Sequence, residues 1–155
     1  VFVTVRIFGL CLALLPGIFG HQHKDDLSKY QAKFAQENKP VDKGKLMVRL
    51  GRAEFDEIEK EVSANDLNKA IEELREYQKQ ADSVSKALDA SGRKAEKNAA
   101  GFLQLQISVR EALERLTNIL VGLTSDQQKP FEEVREDLDE LNRHLIRELF
   151  PNQNH

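Results

Sequence analysis

The run His21-Gln22-His23-Lys24-Asp25-Asp26 holds the most chemically specific spacing in this chain. Cleavage that leaves His21 as a new N-terminus would expose a free α-amine. That amine, two deprotonated backbone amides and the His23 imidazole can surround Cu(II) or Ni(II) in a square plane, the tetragonal nitrogen geometry these ions favour. His21 and His23 are therefore the candidate metal residues. Cleavage one position away removes the donor set. The plainer reading is a flexible, extended polar leader with two ordinary histidines.

The other titratable groups point away from catalysis. His144 has Glu140 one turn before it, at i and i+4, whereas di-iron bundles need Glu-x-x-His at i and i+3 on two helices. It is better read as a boundary histidine, and His155 belongs to the tail. Glu54, Glu57, Glu61, Glu72, Glu73, Glu76 and the acidic run 132–140 interleave with Lys and Arg at helical spacings, the pattern of a solvated face. No Gly-rich phosphate loop, nucleophile elbow or HExxH is present. Cys11 is the only cysteine, so neither a disulfide nor a CxxC metal site can form within the chain. No catalytic residue and no bound cofactor are assigned, and the expectation is a protein that is not an enzyme.

The composition supports the same view. Charged residues make up 32% and hydrophobic ones 40% of 155 residues, enough for one soluble domain with a core. A net charge of −3 with no long basic run does not attract nucleic acid. Removing residues 1–20 takes away Arg6 and no acid, and so makes the chain slightly more acidic. Those residues place Arg6 before the apolar run Ile7–Leu15, then break at Pro16-Gly17 and end on Gly20. This layout predicts a secretory signal peptide cleaved before His21. The run is shorter than the ~20 residues of a membrane-spanning helix. Membrane attachment is therefore expected only if residues 1–20 are retained.

The elements that must position these groups are all helices. The strongest is Phe102 to Leu123, where apolar residues recur at 102, 105, 109, 112, 113, 116, 119, 120 and 123. A second stripe of Leu103, Ile107 and Val121 lies off that face, so one neighbour cannot cover both. Asp25 or Asp26 can cap a short helix running to Asn38 with Leu27, Tyr30 and Phe34 on one side, and Pro40 ends it. A helix from about Lys43 to Ser63 is expected to turn Leu46, Leu50, Ala53, Ile58 and Val62 inward, with Phe55 near the edge. Ala64-Asn65-Asp66 is a compact turn into Leu67–Ala90, whose Leu74, Tyr77, Ala81, Val84 and Leu88 make a bundle seam. The last helix, from about Pro130 to Phe150, turns Phe131, Val134, Leu138, Leu141, Leu145 and Leu149 inward, with Pro130 at its first position.

The expected architecture is all-α: an antiparallel up-down bundle of four long helices plus a short N-terminal helix. Residues 1–20 are the signal peptide, 21–42 the polar leader and short helix, 43–150 the bundle and 151–155 a tail. The 74–88 seam and the last helix should cover the main face of 102–123. If Tyr30 and Phe34 bury Leu103 and Ile107, the chain is a closed monomer. Otherwise Leu103, Ile107 and Val121 are the candidate stripe for a protein partner.

Two resemblances rest on particular residues. Leu123-Thr124-Ser125-Asp126-Gln127 resembles the L-T-x-x-Q motif of periplasmic, stress-induced helical chaperones and their metal-sensing relatives, and covers little beyond Leu145. Physically it is a capping box, and that family usually carries it twice where this chain has it once. The leader, the hairpin turning at Asn65-Asp66 and the final PFEEVREDLDEL helix together resemble uncharacterised exported bacterial proteins across residues 43–150. The second likeness implies a helical bundle and an exported location, with no activity. Together these readings favour a non-enzymatic exported module acting through protein–protein contacts. The alternatives are a Cu/Ni-binding or metal-responsive protein and a client-binding chaperone.

Overall fold

The computed structural model describes residues 19–153, with side chains described for 26–152. The expected signal peptide lies outside them except for Phe19 and Gly20, and Cys11 lies outside them altogether. The described residues form α1 (Phe19–Gln36), α2 (Pro40–Ser63), α3 (Leu67–Ala90), α4 (Phe102–Val121) and α5 (Ser125–Leu149), closed by a 3₁₀ turn at Pro151–Gln153. No strand occurs among them. The chain is thus an all-α bundle with a shorter N-terminal helix, as its periodicity predicts. No described helix is long and apolar enough to cross a membrane.

Several ends differ from expectation for local reasons. The backbone is already helical at Phe19, so the His21–Asp26 run is not extended. Pro40 does not merely end α1; it opens α2 at its first position, where the missing N–H removes no bond. The Glu37 carboxylate accepts from the backbone N–H groups of Asn38 and Lys39 at 2.9 and 2.8 Å and shapes this connection. Between α2 and α3, Asn65 adopts φ 60°, Asp66 N–H reaches Glu61 O and Asn65 N–H reaches Val62 O. That is a Schellman turn with Asn in the left-handed position. Asp66 then caps α3 by accepting from Lys69 N–H at 3.3 Å.

α5 begins at Ser125, five residues before the expected Pro130, which lies inside the helix. A proline there forgoes the bond its N–H would give to Asp126 O. The start survives because Gln127 Oε1 accepts from both the N–H and the hydroxyl of Thr124 at 3.0 Å. Gln128 Nε2 further donates to the end carbonyls Leu120 O and Leu123 O. Burial of Phe131 and Val134 one turn later completes the anchor.

Side-chain pairs give the directions of the helices. Glu61 pairs with Lys69 and Glu54 with Gln80, so α2 and α3 run oppositely. Gln128 meets the α4 terminus while Gln106 meets Asn142, so α4 and α5 also run oppositely. In contrast, Arg52 meets Glu111 and Glu59 meets Arg115, which sets α2 alongside α4 in the same direction. Arg75–Glu133, Gln78–Asp137 and Asp89–His144 do the same for α3 and α5. The order around the bundle is therefore α2, α3, α5, α4, with the 91–101 connection passing along the α3–α4 diagonal. A plain up-down arrangement would have set α5 beside α2. Here α2 and α5 cover the main face of α4, and α3 touches it only lightly.

Glycines permit the parallel α2–α4 contact. A Cβ on Gly44 would stand 2.6 Å from Gly101 O, and Gly101 itself has φ 89°, which favours glycine. The faces of α3 and α5 follow the predicted residues throughout. The α2 face is rotated: Met47, Leu50, Phe55 and Ile58 are fully enclosed, whereas Leu46 and Ala53 are half-buried. Phe55 is a central core residue rather than an edge one. Its ring meets the ring of Tyr77 edge-on, with centroids 5.3 Å apart.

Candidate functional site

The three residues of the proposed stripe do not form one surface. α1 packs on α2 alone among the described residues, so Tyr30 and Phe34 leave Leu103 and Ile107 uncovered. Leu103 is 37% exposed, Ile107 is half-buried and Val121 is 83% exposed. Val121 is five helical turns from Leu103, about 27 Å away. Arg110, Glu114 and Thr117 occupy the same side between them, with Arg110 and Glu114 paired at 3.6 Å. Charge therefore splits the stripe.

Leu103 lies at the end of α4 that runs beside the C-terminal part of α5. Gln106 donates to Asn142 at 3.1 Å across the α4–α5 seam. In this antiparallel register, one turn back on α4 is Leu103 and one turn on along α5 is Ile146, followed by Phe150. Ile146 is 39% and Phe150 46% exposed, so the register sets the exposed residues Leu103, Ile146 and Phe150 toward one end of the seam, an apolar shoulder. Ile146 was legible as an apolar residue just off the Leu141–Leu145–Leu149 line. That the register sets it at the Leu103 end of α4 was not.

His144 finds its partner across the bundle, in Asp89 of α3 at 3.0 Å, instead of in Glu140 on its own helix. The two lie in an open groove of about 430 Å³ with Asp82, Lys86, Asp137 and Glu140 along its walls. Among the described residues no three His, Cys, Asp or Glu side chains are grouped to hold a metal. His21 and His23 have side chains outside the described residues.

The carboxylates of α2 correct the expectation of a solvated face. Glu54 and Glu57 are each only 6% exposed. Glu57 is held by Lys60 at 3.0 Å. Glu54 accepts from Gln80 Nε2 at 3.1 Å through Oε1, while Oε2 is enclosed and has no hydrogen-bond partner. Burial pushes its carboxyl up to about 7, and the nearby Glu76 and Glu73 carboxylates add to the rise. Glu73 is also raised, chiefly by desolvation. The signal was present in the sequence, because Leu50, Glu54 and Ile58 follow one another at i+4 on one line.

On the opposite flank of α2 the charges are well satisfied. Arg115 of α4 bonds Glu59 at 2.6 Å and Asp56 at 2.7 Å and lies over the Phe55 ring. Arg52 grips both oxygens of Glu111, which raises the guanidinium and lowers the carboxyl through the hydrogen bonds and the charge pair. These contacts fasten α2 to α4. No family model, curated protein or solved structure matches this chain.

Proposed function

We propose that this chain is an exported bacterial helical module that acts without catalysis, through contact with another protein. The observation that carries this reading is the exposure of Leu103, Ile146 and Phe150 toward one end of the α4–α5 seam, while the core residues are covered. Clustered large apolar side chains at a surface mark a place where burial by a partner repays association. The export part rests on the layout of residues 1–20 and the resemblance across 43–150.

A photo-crosslinking residue at position 146, with a control at the exposed Glu76, tests the contact in cells that produce the full chain. A discrete protein adduct at 146 that disappears on Leu103→Glu supports the reading. No adduct, or the same adduct from position 76, rejects it.

A further inference from the structure

α1 is the least secured helix of the bundle. Every other helix packs on at least two neighbours, whereas α1 packs on α2 alone among the described residues. It is held there by half-buried Leu27, Tyr30 and Phe34, with Lys43 of α2 over the Phe34 ring at 4.9 Å. The Gln31 side chain of α1 lies near the carboxyl of Glu54. The Glu54 carboxyl is thus enclosed between α1, α2 and α3.

Burial and two facing acids oppose a charge on this carboxyl and outweigh the amide donors of Gln80 and Gln31, which favour it. From α3 it faces Gln80 and the two acids Glu73 and Glu76, and from α1 the amide of Gln31. On α2 the nearby Glu57 is taken up by Lys60. Lys69 is engaged by Glu61 and Glu73, and Arg115 by Asp56 and Glu59. No ion pair reaches Glu54 among the described residues.

We propose that Glu54 makes the seating of α1 on α2 responsive to pH: α1 is docked while this carboxyl carries its proton and lifts when the proton leaves. A protonated carboxyl needs no counter-ion. An ionised one is a buried charge facing two further carboxylates, and admitting water is its cheapest relief. Of the enclosing walls, α3 is fixed by core residues on either side of Gln80, including Tyr77, Ala81 and Val84. α1 is fixed by a single face and is the wall that yields. Burial raises this carboxyl from its ordinary 4.5 to about 7. A raised acid favours the enclosed state at low pH, so docking is complete below about 4.5 and is lost as pH rises through about 7. The device is separate from the shoulder on α4 and α5 and does not depend on it.

Phe34→Trp in the full chain supplies the test, because the sequence contains no other tryptophan. Emission and acrylamide quenching are followed from about pH 5 to about pH 9, with far-ultraviolet circular dichroism on the same samples. The expected result is a red shift and severalfold stronger quenching with one midpoint near neutrality, while the helical signal falls only by the share of α1. Adding Glu54→Gln should leave the tryptophan shielded across the range. Glu54→Leu should do the same, which guards against a rearranged hydrogen bond in the Gln variant. Emission that is constant with pH, or a shift that persists in both Glu54 variants, overturns the proposal. So does a shift accompanied by loss of the whole helical signal.

Discussion

Tyr77 of α3 donates its hydroxyl proton to Ser108 of α4 across 2.9 Å, in a part of the core closed to solvent. The direction follows from the next link, in which Ser108 donates its single hydroxyl proton to Met47 O of α2 at 2.9 Å. Three helices are thus joined through two oxygens. Burial raises the Tyr77 phenol far above its ordinary value, so it remains a donor throughout the working pH range. The site is also tight: a Cβ on Gly51 would stand 2.8 Å from both Ser108 Oγ and Tyr77 Cε2.

This relay predicts that Tyr77→Phe lowers unfolding free energy by about 1–2 kcal/mol, since Ser108 loses its donor in a dry site. Gly51→Ala should cost about 1–3 kcal/mol through crowding of the same two side chains. Urea denaturation of both variants provides the check. Wild-type midpoints in both would show that the relay contributes nothing.

The glycine contact between α2 and α4 predicts a larger penalty for a small change at Gly44 than for a larger one beside it. Gly44→Ala drives a methyl into Gly101 backbone atoms, which cannot rotate away as a side chain would. We expect a loss of about 1–3 kcal/mol, against under about 0.5 kcal/mol for Lys45→Ala on the exposed side. Thermal melts of the pair decide the matter, and equal melting temperatures would refute the close approach.

Glu54 predicts an uncommon pH dependence of global stability. Its folded-state carboxyl is raised from 4.5 to about 7, so its burial costs little in acid and most above neutrality. At about 1.4 kcal/mol per unit, full ionisation removes on the order of 3 kcal/mol, an upper bound if water enters first. Glu54→Gln should therefore be more stable than the native chain at about pH 8 and nearly equal to it at about pH 4. Denaturation curves at the two pH values test this. A gap of the same size at both would remove Glu54 from the explanation.

The start of α5 predicts separate contributions from cap and proline. Gln127→Ala removes the acceptor for both Thr124 groups and should cost about 1 kcal/mol. Pro130→Ala restores a backbone bond to Asp126 O and should raise the melting temperature. A lower melting temperature for Pro130→Ala would instead assign the proline a packing role.

Export with cleavage before His21 predicts a mature chain that opens on His-Gln-His. N-terminal sequencing of secreted protein should read that triplet. Such a chain should then take up one Cu(II) equivalent with the visible absorption band of square-planar nitrogen ligation, lost on His23→Ala. A terminus at any other residue eliminates the copper site and leaves the helical domain unaffected.

Much of this architecture was determined locally. Leu74, Tyr77, Ala81, Val84 and Leu88 face the core because a 3-4-3-4 spacing admits no other helix orientation with that many apolar residues inside. The same holds for the six inward residues of α5, and Asn65-Asp66 writes its own turn through the left-handed preference of Asn and the capping carboxylate of Asp. Helical spacing tells which side of a helix is buried. It does not tell which neighbour buries it.

Tertiary structure decided the rest. The diagonal passage of residues 91–101 sets α2 beside α4 and sealed Ser108 between Met47 and Tyr77, while the packing of α3 on the other flank of α2 took Glu54 off a wet face. The antiparallel α4–α5 register set Ile146 and Phe150 toward the Leu103 end of α4 and left Val121 at the other. α2 is ambiguous because it covers α1, α3 and α4 at once, so its apolar and acidic residues share a broad buried arc that a single stripe does not describe. The physical reason is general: periodicity is a property of one helix, whereas a buried charge, a shared proton or an open apolar shoulder exists only between helices.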